Sequence, residues 1–571
     1  MNNAAAGLMA QVYRRPIAAL FLICFVAWLP GFFTLPALDR DESRFAQSSK
    51  QMLETGNFVD IQQGYEKRYK KPVGIYWMQA AATAAIDAVR GNTTHGDIWT
   101  YRVPSFLGAF AAVALTFWTA SAIADVEVSF FAALLLGLSL LLTAESKIAK
   151  TDAVLLATIV GSMGVLLRLY LADPQATPPR PLPSLPLILA GWAAFGVGLL
   201  VKAPVNLLVL GITVLVLSTW DRRGRWLWET RPLLGLPIAL LIFLPWLIAI
   251  AVISHGAFFA SSLGHDFAGK VVGGEETHGA PPGYYLVAAN ISFWPTVLVL
   301  LPGFLFSIRH RAEPAVRFLL VWAAATWLMF EIAPTKLPHY VLPAYPALAI
   351  LSALWLKEVQ ETETGLMRGF RLASITLFTL VGVAFAAFLL YAPMRFGDGP
   401  PAWLYAGAVV LVLLVLTSAV FALREQRQAA VGGAAIAAIT LYYCAGFGTV
   451  PHLGRLWVTE AAVAAVARHA QPDDPPVIAS GYQEASMTFR LGTKTHLANG
   501  SMAASLAAMQ GGLALIEDHE RDAFLGGLAE QNDQAVPVDQ FSGFNYSRGR
   551  KVHITVYRVA PPYQMTAPPP E

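Results

Sequence analysis

Charge is what this 571-residue chain has least of: Asp, Glu, Lys and Arg together make up 13% of it, about half of the roughly 25% usual in soluble proteins. A soluble surface of that size cannot be covered with so few charges, and a disordered chain needs more of them. Cysteine is nearly missing too. The two present, Cys24 and Cys444, lie inside apolar runs, which excludes a disulfide scaffold. The 40 basic and 37 acidic residues almost cancel, to +3, so no basic field points to nucleic acid. There is no glycine-rich nucleotide loop, which excludes a pump driven by its own ATPase, and there is no internal repeat.

Apolar residues are abundant instead, at 56% of the chain with 11% aromatic and a mean hydropathy of +0.52. They fall in runs long enough to cross a bilayer, so the chain reads as an α-helical polytopic membrane protein. The first run, 16–35, follows Tyr13-Arg14-Arg15 and has no small-residue cleavage site after it, so it is expected to be an anchor. Further spans are predicted near 103–124, 128–143, 152–172, 185–200, 203–219, 233–254, 290–308, 315–333, 340–356, 370–391, 403–423 and 430–447.

Short cytoplasmic loops collect Lys and Arg. The loops at Arg222-Arg223-Gly224-Arg225, Arg309-His310-Arg311 and 424–427 are plainly basic, which predicts that they and the N-terminus share the cytoplasmic side. An even number of crossings must then precede Arg222. The mixed stretch 72–90, with Asp87 and Arg90, is accordingly read as an interfacial helix on the outer surface. The count becomes about thirteen spans, with the membrane part at 1–447, outer loops at 37–102 and 255–289, and an outer C-terminus. The 456–571 tail alternates in a different way: helices at 459–469 and 518–528 and strands at 477–479, 513–516 and 551–559 predict a small soluble α/β domain.

Sorting by side places the remaining ionisable groups together. Asp39-Arg40-Asp41-Glu42-Ser43-Arg44 follows the first span, where a carboxylate can serve as base, nucleophile or ligand, or merely begin a helix. Tyr65-Glu66-Lys67-Arg68-Tyr69-Lys70-Lys71-Pro72 is a basic cluster on the side where basic clusters are rare. Lipid headgroups are its ordinary partner, and a specific anion is the alternative. Asp152 opens a helix, and Lys202 interrupts an apolar hairpin, where a lysine needs a partner or water. The densest element is Thr335-Lys336-Leu337-Pro338-His339-Tyr340-Val341-Leu342-Pro343-Ala344-Tyr345-Pro346. Its prolines predict a rigid, strand-like entry to a helix, and Lys336 and His339 offer cationic donors suited to phosphate. His265 and His278 in the 255–289 loop are weak candidates for a divalent metal, since no tight ligand spacing accompanies them.

Taken together, Asp41-Glu42-x-Arg44, Lys71-Pro72 with Tyr76-Trp77, Arg102-Val103-Pro104-Ser105, Asp152, Lys202-Ala203-Pro204 and Lys336-x-x-His339-Tyr340-x-Leu342-Pro343 resemble the polyprenyl-phosphate-sugar glycosyltransferases of the C superfamily (the GT-C fold). The likeness is greatest to the lipid A 4-amino-4-deoxy-L-arabinose transferases, relatives of protein O-mannosyltransferases. Two departures stand out: Lys150 where relatives often have arginine, and Ala203 after Lys202 where glycine is frequent. The resemblance implies an inverting transfer from an undecaprenyl-phosphate-linked sugar to lipid A on the periplasmic face of a Gram-negative inner membrane. It implies Asp41 as the catalytic carboxylate and Glu42 and Asp152 as further acidic positions. Arg44, Lys70, Lys71, Lys202, Lys336, His339 and Tyr345 are the expected phosphate-binding groups. No cofactor is implied, a divalent metal stays open, and membrane lipids are the surroundings. A protein O-glycosyltransferase and a polyprenyl-lipid transporter are the alternative readings.

Overall fold

The computed structural model describes residues 11–173, 175, 179–262, 264, 280–357 and 364–560. Within them the protein is a bundle of apolar helices carrying a small α/β domain near its C-terminus. Among the described residues, nine helices are long and apolar enough to cross a membrane. The sequence predicts thirteen, and the difference has two sources. The helices Pro16–Trp28 (α1), Val126–Gly137 and Val297–Arg309 are apolar but shorter. The two spans predicted at 185–200 and 203–219 form one run, Leu185–Trp220, broken at Lys202.

That break is a reversal of direction. Lys202 has φ −158° and ψ 70°, and Pro204 has no N–H to continue the ladder. Asn206 Nδ2 donates to the Phe195 carbonyl at 2.9 Å, a contact that eleven residues of straight helix, about 16 Å, would forbid. Gly198 leaves the room required, since a Cβ there would lie 2.6 Å from the Asn206 amide.

The lipid-facing surface is read from exposure. On helix Pro232–Ile253, Leu233, Leu241 and Val252 are 84%, 75% and 67% exposed, a contiguous apolar face that water would not tolerate. Between α1 and the next span come three elements, whose Phe45, Met52, Ile75 and Tyr76 join the buried cluster of the bundle. Helix α2 (Asp41–Thr55) starts with two acids in its first turn and ends at Gly56, whose φ of 70° suits glycine. The hairpin β1 (Gln62–Gln63) and β2 (Glu66–Lys67) follows. Helix α3 (Gly74–Arg90) is the amphipathic stretch expected at the interface. It packs on α2 and on α4 (Ile98–Ala120). Further along the chain, after the short helices Val126–Gly137 and Leu140–Glu145, come α5 (Asp152–Tyr170) and α6, the broken run Leu185–Trp220.

The N-terminus of α3 sits hard against the α6 reversal: a Cβ on Gly74 would lie 2.7 Å from the Leu200 carbonyl oxygen. Backbone cannot yield as a side chain can. Gly74→Ala is therefore expected to lower stability by about 1–3 kcal/mol, read as a lower thermal-denaturation midpoint in detergent.

The C-terminal domain holds a five-stranded sheet in the order β4-β3-β5-β7-β6, with β3 Ile478–Ser480, β4 His496–Ala498, β5 Gly512–Glu517, β6 Ala535–Asn545 and β7 Arg550–Val559. β3 pairs in parallel with β4 and β5, whereas β5–β7 and β7–β6 are antiparallel. Alternate residues face opposite layers, as strands require. Ala479, Leu513 and Leu515 pack with Val458–His469 on one side. Ile478, Ala514 and Ile516 pack with Gly500–Gln510 and Arg521–Glu530 on the other. Two strands, β4 and β6, and two helices, Ala485–Leu491 (α7) and Gly500–Gln510, go beyond the sequence expectation. The strand-like entry predicted near Pro338 is a 3-10 turn, Pro338–Ala344, that runs directly into helix Tyr345–Lys357.

Candidate active site

Five separate pieces of chain meet above the helices. Asp41 and Arg44 come from the first turn of α2, and Arg68, Lys70 and Lys71 from the hairpin exit. Lys150 and Asp152 come from the turn into α5, Lys202 from the α6 reversal, and His339 and Tyr340 from the 3-10 turn. They enclose a chamber of about 80 Å³. Six cationic side chains (Arg44, Arg68, Lys70, Lys71, Lys150 and Lys202) and two carboxylates line it, so the chamber is positive and suits phosphate.

Asp152 organises the cations. It accepts from Lys202 Nζ at 2.8 Å, and Lys150 Nζ and His339 Nε2 stand 3.6 and 4.0 Å from its second oxygen. Lys150 also reaches Glu145 at 3.4 Å, and Lys202 sits 5.5 Å from the centre of the Tyr340 ring. Asp41 is different in kind. Burial raises its carboxyl, but the facing Lys150, His339, Arg68 and Arg44 outweigh burial and hold it below the ordinary 3.8. It is therefore a carboxylate at neutral pH.

Glu42, its neighbour, points elsewhere. It takes two hydrogen bonds from Arg102, at 2.8 and 3.0 Å, and one each from the N–H groups of Ala149 and Leu38, at 3.0 Å. The rest of the Arg102 fork donates to the carbonyls of Phe32, Leu35 and Pro36. Both side chains are fully buried. This lock ties the end of the first span, the Asp41 loop and the Lys150 turn together.

Two more expected site residues lie outside the chamber lining. The Lys336 ammonium donates to the Glu331 and Ala333 carbonyls at 2.8 Å, and so closes the C-terminal end of helix Pro314–Ile332. The Tyr345 hydroxyl pairs with Ser292 at 2.6 Å, and its ring packs on Phe293. Glu42, expected as a further acidic position, and Lys336 and Tyr345, expected to bind phosphate, thus have structural partners here and do not line the chamber. Arg68 and Lys150 line the chamber although neither is in the expected set. Arg68 is positioned by Tyr76 at 3.2 Å and lies over the Phe45 ring. The candidate metal ligands His265 and His278 lie outside the described residues, and among the described ones no three His, Cys, Asp or Glu side chains group as a metal would need.

Two larger cavities flank the chamber and share its walls. One, of about 310 Å³, shares Lys70, Lys71, Lys202 and Tyr340 and continues past Phe243, Leu247, Phe258 and Phe330. The other, of about 640 Å³, shares Arg44, Arg68 and Lys70 and is completed by C-terminal residues such as Gln483, His496 and Met502. Tyr65 stacks on His496 at 5.2 Å across that second cleft.

Comparison with known proteins finds similarity in both sequence and fold. A family model for dolichyl-phosphate-mannose-protein mannosyltransferases matches residues 17–257. The chain is 27% identical over 390 residues (66% of this chain, 64% of the relative) to the undecaprenyl phosphate-alpha-4-amino-4-deoxy-L-arabinose arabinosyl transferase 2 of Pseudomonas fluorescens. It is 28% identical over 394 residues (67% of each) to the corresponding transferase of Pseudomonas paraeruginosa. The match thus spans just under two thirds of the first relative's length. In fold, ArnT from Cupriavidus metallidurans in the apo state superposes with a TM-score of 0.74 at 17% identity, over 97% of this chain and 98% of that one. ArnT bound to undecaprenyl phosphate gives 0.71 at 18% identity, over 94% and 97%. The oligosaccharyltransferase of Archaeoglobus fulgidus is more distant, with 0.53 at 13% identity over 97% and 75%. The chain is thus similar in sequence, over about two thirds of its length, to transferases named for undecaprenyl phosphate-alpha-4-amino-4-deoxy-L-arabinose, and similar in fold, over nearly all of it, to ArnT.

Proposed function

We propose that this protein transfers 4-amino-4-deoxy-L-arabinose from undecaprenyl phosphate to a phosphate of lipid A, with inversion, on the periplasmic face of the Gram-negative inner membrane. The N-terminus is then cytoplasmic, and the chamber and the C-terminal domain are periplasmic. The carrying observation is the series of three cavities: an apolar one, a cationic chamber holding Asp41, and a polar cleft roofed by the C-terminal domain. A lipid-linked donor needs the first two, and a separate amphiphilic acceptor needs the third.

In the step, an oxygen of the acceptor phosphate attacks the anomeric carbon in line. The bond from that carbon to the donor phosphate oxygen breaks, and its electron pair leaves with undecaprenyl phosphate. The fixed cations Lys70, Lys71 and Lys202 stabilise the charge that develops there. The acceptor phosphate is already anionic and needs no base. The Asp41 carboxylate steadies the sugar's ammonium and oxocarbenium character. Lys202→Gln removes one cation and leaves Asp152 short of a partner. Its KM for the donor is expected to rise about 10- to 100-fold, the equivalent of roughly 1.5–3 kcal/mol for a charged hydrogen bond.

The test is mass spectrometry of lipid A from cells with and without the protein. An added aminoarabinose mass supports the proposal. The mannosyltransferase family match favours a second reading, transfer to a protein hydroxyl, where Asp41 would act as general base. Unchanged lipid A beside newly glycosylated envelope proteins would replace the first reading with the second.

A further inference from the structure

We infer that the C-terminal domain holds the Asp41 loop in working geometry by gripping Asp39, which makes Tyr482, Ser486 and Tyr546 positioning residues for transfer. This inference rests on the role of Asp41 proposed above. Asp39 lies two positions before Asp41 and is 8% exposed. Its carboxylate accepts from the Tyr482 hydroxyl at 2.9 Å and from the Ser486 hydroxyl. Its backbone N–H donates to the Tyr546 hydroxyl at 2.6 Å. The next residue, Arg40, donates through its guanidinium to the Ser547 carbonyl. All four partners lie more than 400 positions away in the chain, on the segment from β3 into α7 and on the β6–β7 turn.

The loop needs such a grip. Arg40 has φ +64° and ψ −117°, a region that a non-glycine residue keeps only when its surroundings hold it there. The next residue is Asp41, the first of α2, so the Arg40 conformation sets where the Asp41 carboxylate points. The membrane side supplies the Glu42–Arg102 lock behind the loop, and the C-terminal domain supplies the hold in front. Packing repeats the arrangement: α7 lies on α2, with Lys50 Nζ donating to the Phe489 carbonyl at 3.3 Å and Gln47 Nε2 to Thr493 at 2.7 Å.

The charged and titratable groups around Asp39 are Arg40, Asp41 and Glu42 on its own segment, Tyr482 and Glu484 before α7, and Tyr546 and Arg548 on the β6–β7 turn. Burial raises the Asp39 carboxyl to about 6, and the Ser486 and Tyr482 hydrogen bonds pull against that rise. Removing those donors moves the Asp39 titration upward, and replacing Asp39 abolishes it.

Three readouts in full-length detergent-purified protein test the grip. Tyr482→Phe with Ser486→Ala is expected to lower kcat about tenfold or more, the weight of lost hydrogen bonds to a charged group, with the donor KM within twofold of wild type. Hydrogen exchange of the peptide spanning 36–44 speeds up, and the acid limb of the kcat profile moves to higher pH. Asp39→Asn lowers kcat and loses that limb. Arg468→Ala, which breaks a surface pair with Asp539 at 2.6 Å elsewhere in the domain, keeps wild-type kcat and exchange. Wild-type kcat and exchange in the double variant overturn the inference, and so does a lower kcat with unchanged exchange, because the loop would then not have moved. If the wild-type protein transfers no sugar, the proposed function fails, while the exchange measurement still decides whether the domain holds the loop.

Discussion

Asp41→Asn is expected to lower turnover by about 10²- to 10³-fold, the range for removing one preorganised electrostatic stabiliser of a transition state, with little change in stability. The substitution keeps the shape and removes the charge. The charge is what matters, because Lys150, His339, Arg68 and Arg44 are arranged to keep Asp41 ionised against the penalty of burial. A neutral amide also leaves the chamber more positive. Phosphate binding is thus retained or tightened while the cationic transition state loses its counter-charge, so kcat falls and the donor KM does not rise. Single-turnover transfer with purified donor and lipid A checks both numbers. Full transfer by Asp41→Asn would refute the catalytic assignment.

Arg102→Ala carries the largest expected effect on stability, about 3–5 kcal/mol, because it strands the buried Glu42 carboxylate. It also leaves the carbonyls of Phe32, Leu35 and Pro36 without their donor. The measurement is the thermal midpoint, or the yield of folded protein, in detergent. Replacing Glu42 and Arg102 together by neutral residues of similar volume is expected to recover part of the loss, since the unpaired charge then disappears. Activity need not return with stability, because the loop carrying Asp41 keeps its new freedom.

The membrane part of the fold was legible because its code is coarse. Runs of apolar residues predicted helices at nearly every place where one is found, and Gly198, Lys202 and Pro204 announced the reversal in α6. Side-chain direction was less legible. Nothing in the order Asp41-Glu42 tells which carboxylate faces the chamber; that depends on Arg102, sixty residues on. Lys150 was hidden similarly, since its partners Glu145 and Asp152 meet it only after the turn into α5 folds back. Lys336, conspicuous in the sequence, caps a helix instead.

In the C-terminal domain, the helix Gly500–Gln510 escaped because alanine and methionine appear on all its faces and leave no apolar stripe. Strand β6 escaped because Pro537 and Gly543 read as loop residues; it is an edge strand with an irregularity beside Pro537, where such residues are tolerated.

The two cavities that flank the chamber both reach Lys70 and otherwise meet it at different walls, Lys71, Lys202 and Tyr340 on one side and Arg44 and Arg68 on the other. Under the proposed transfer, two greasy molecules are held head to head, the carrier along the apolar cavity and the acceptor in the cleft under the C-terminal domain, and the sugar crosses once, directly, without being parked on the protein.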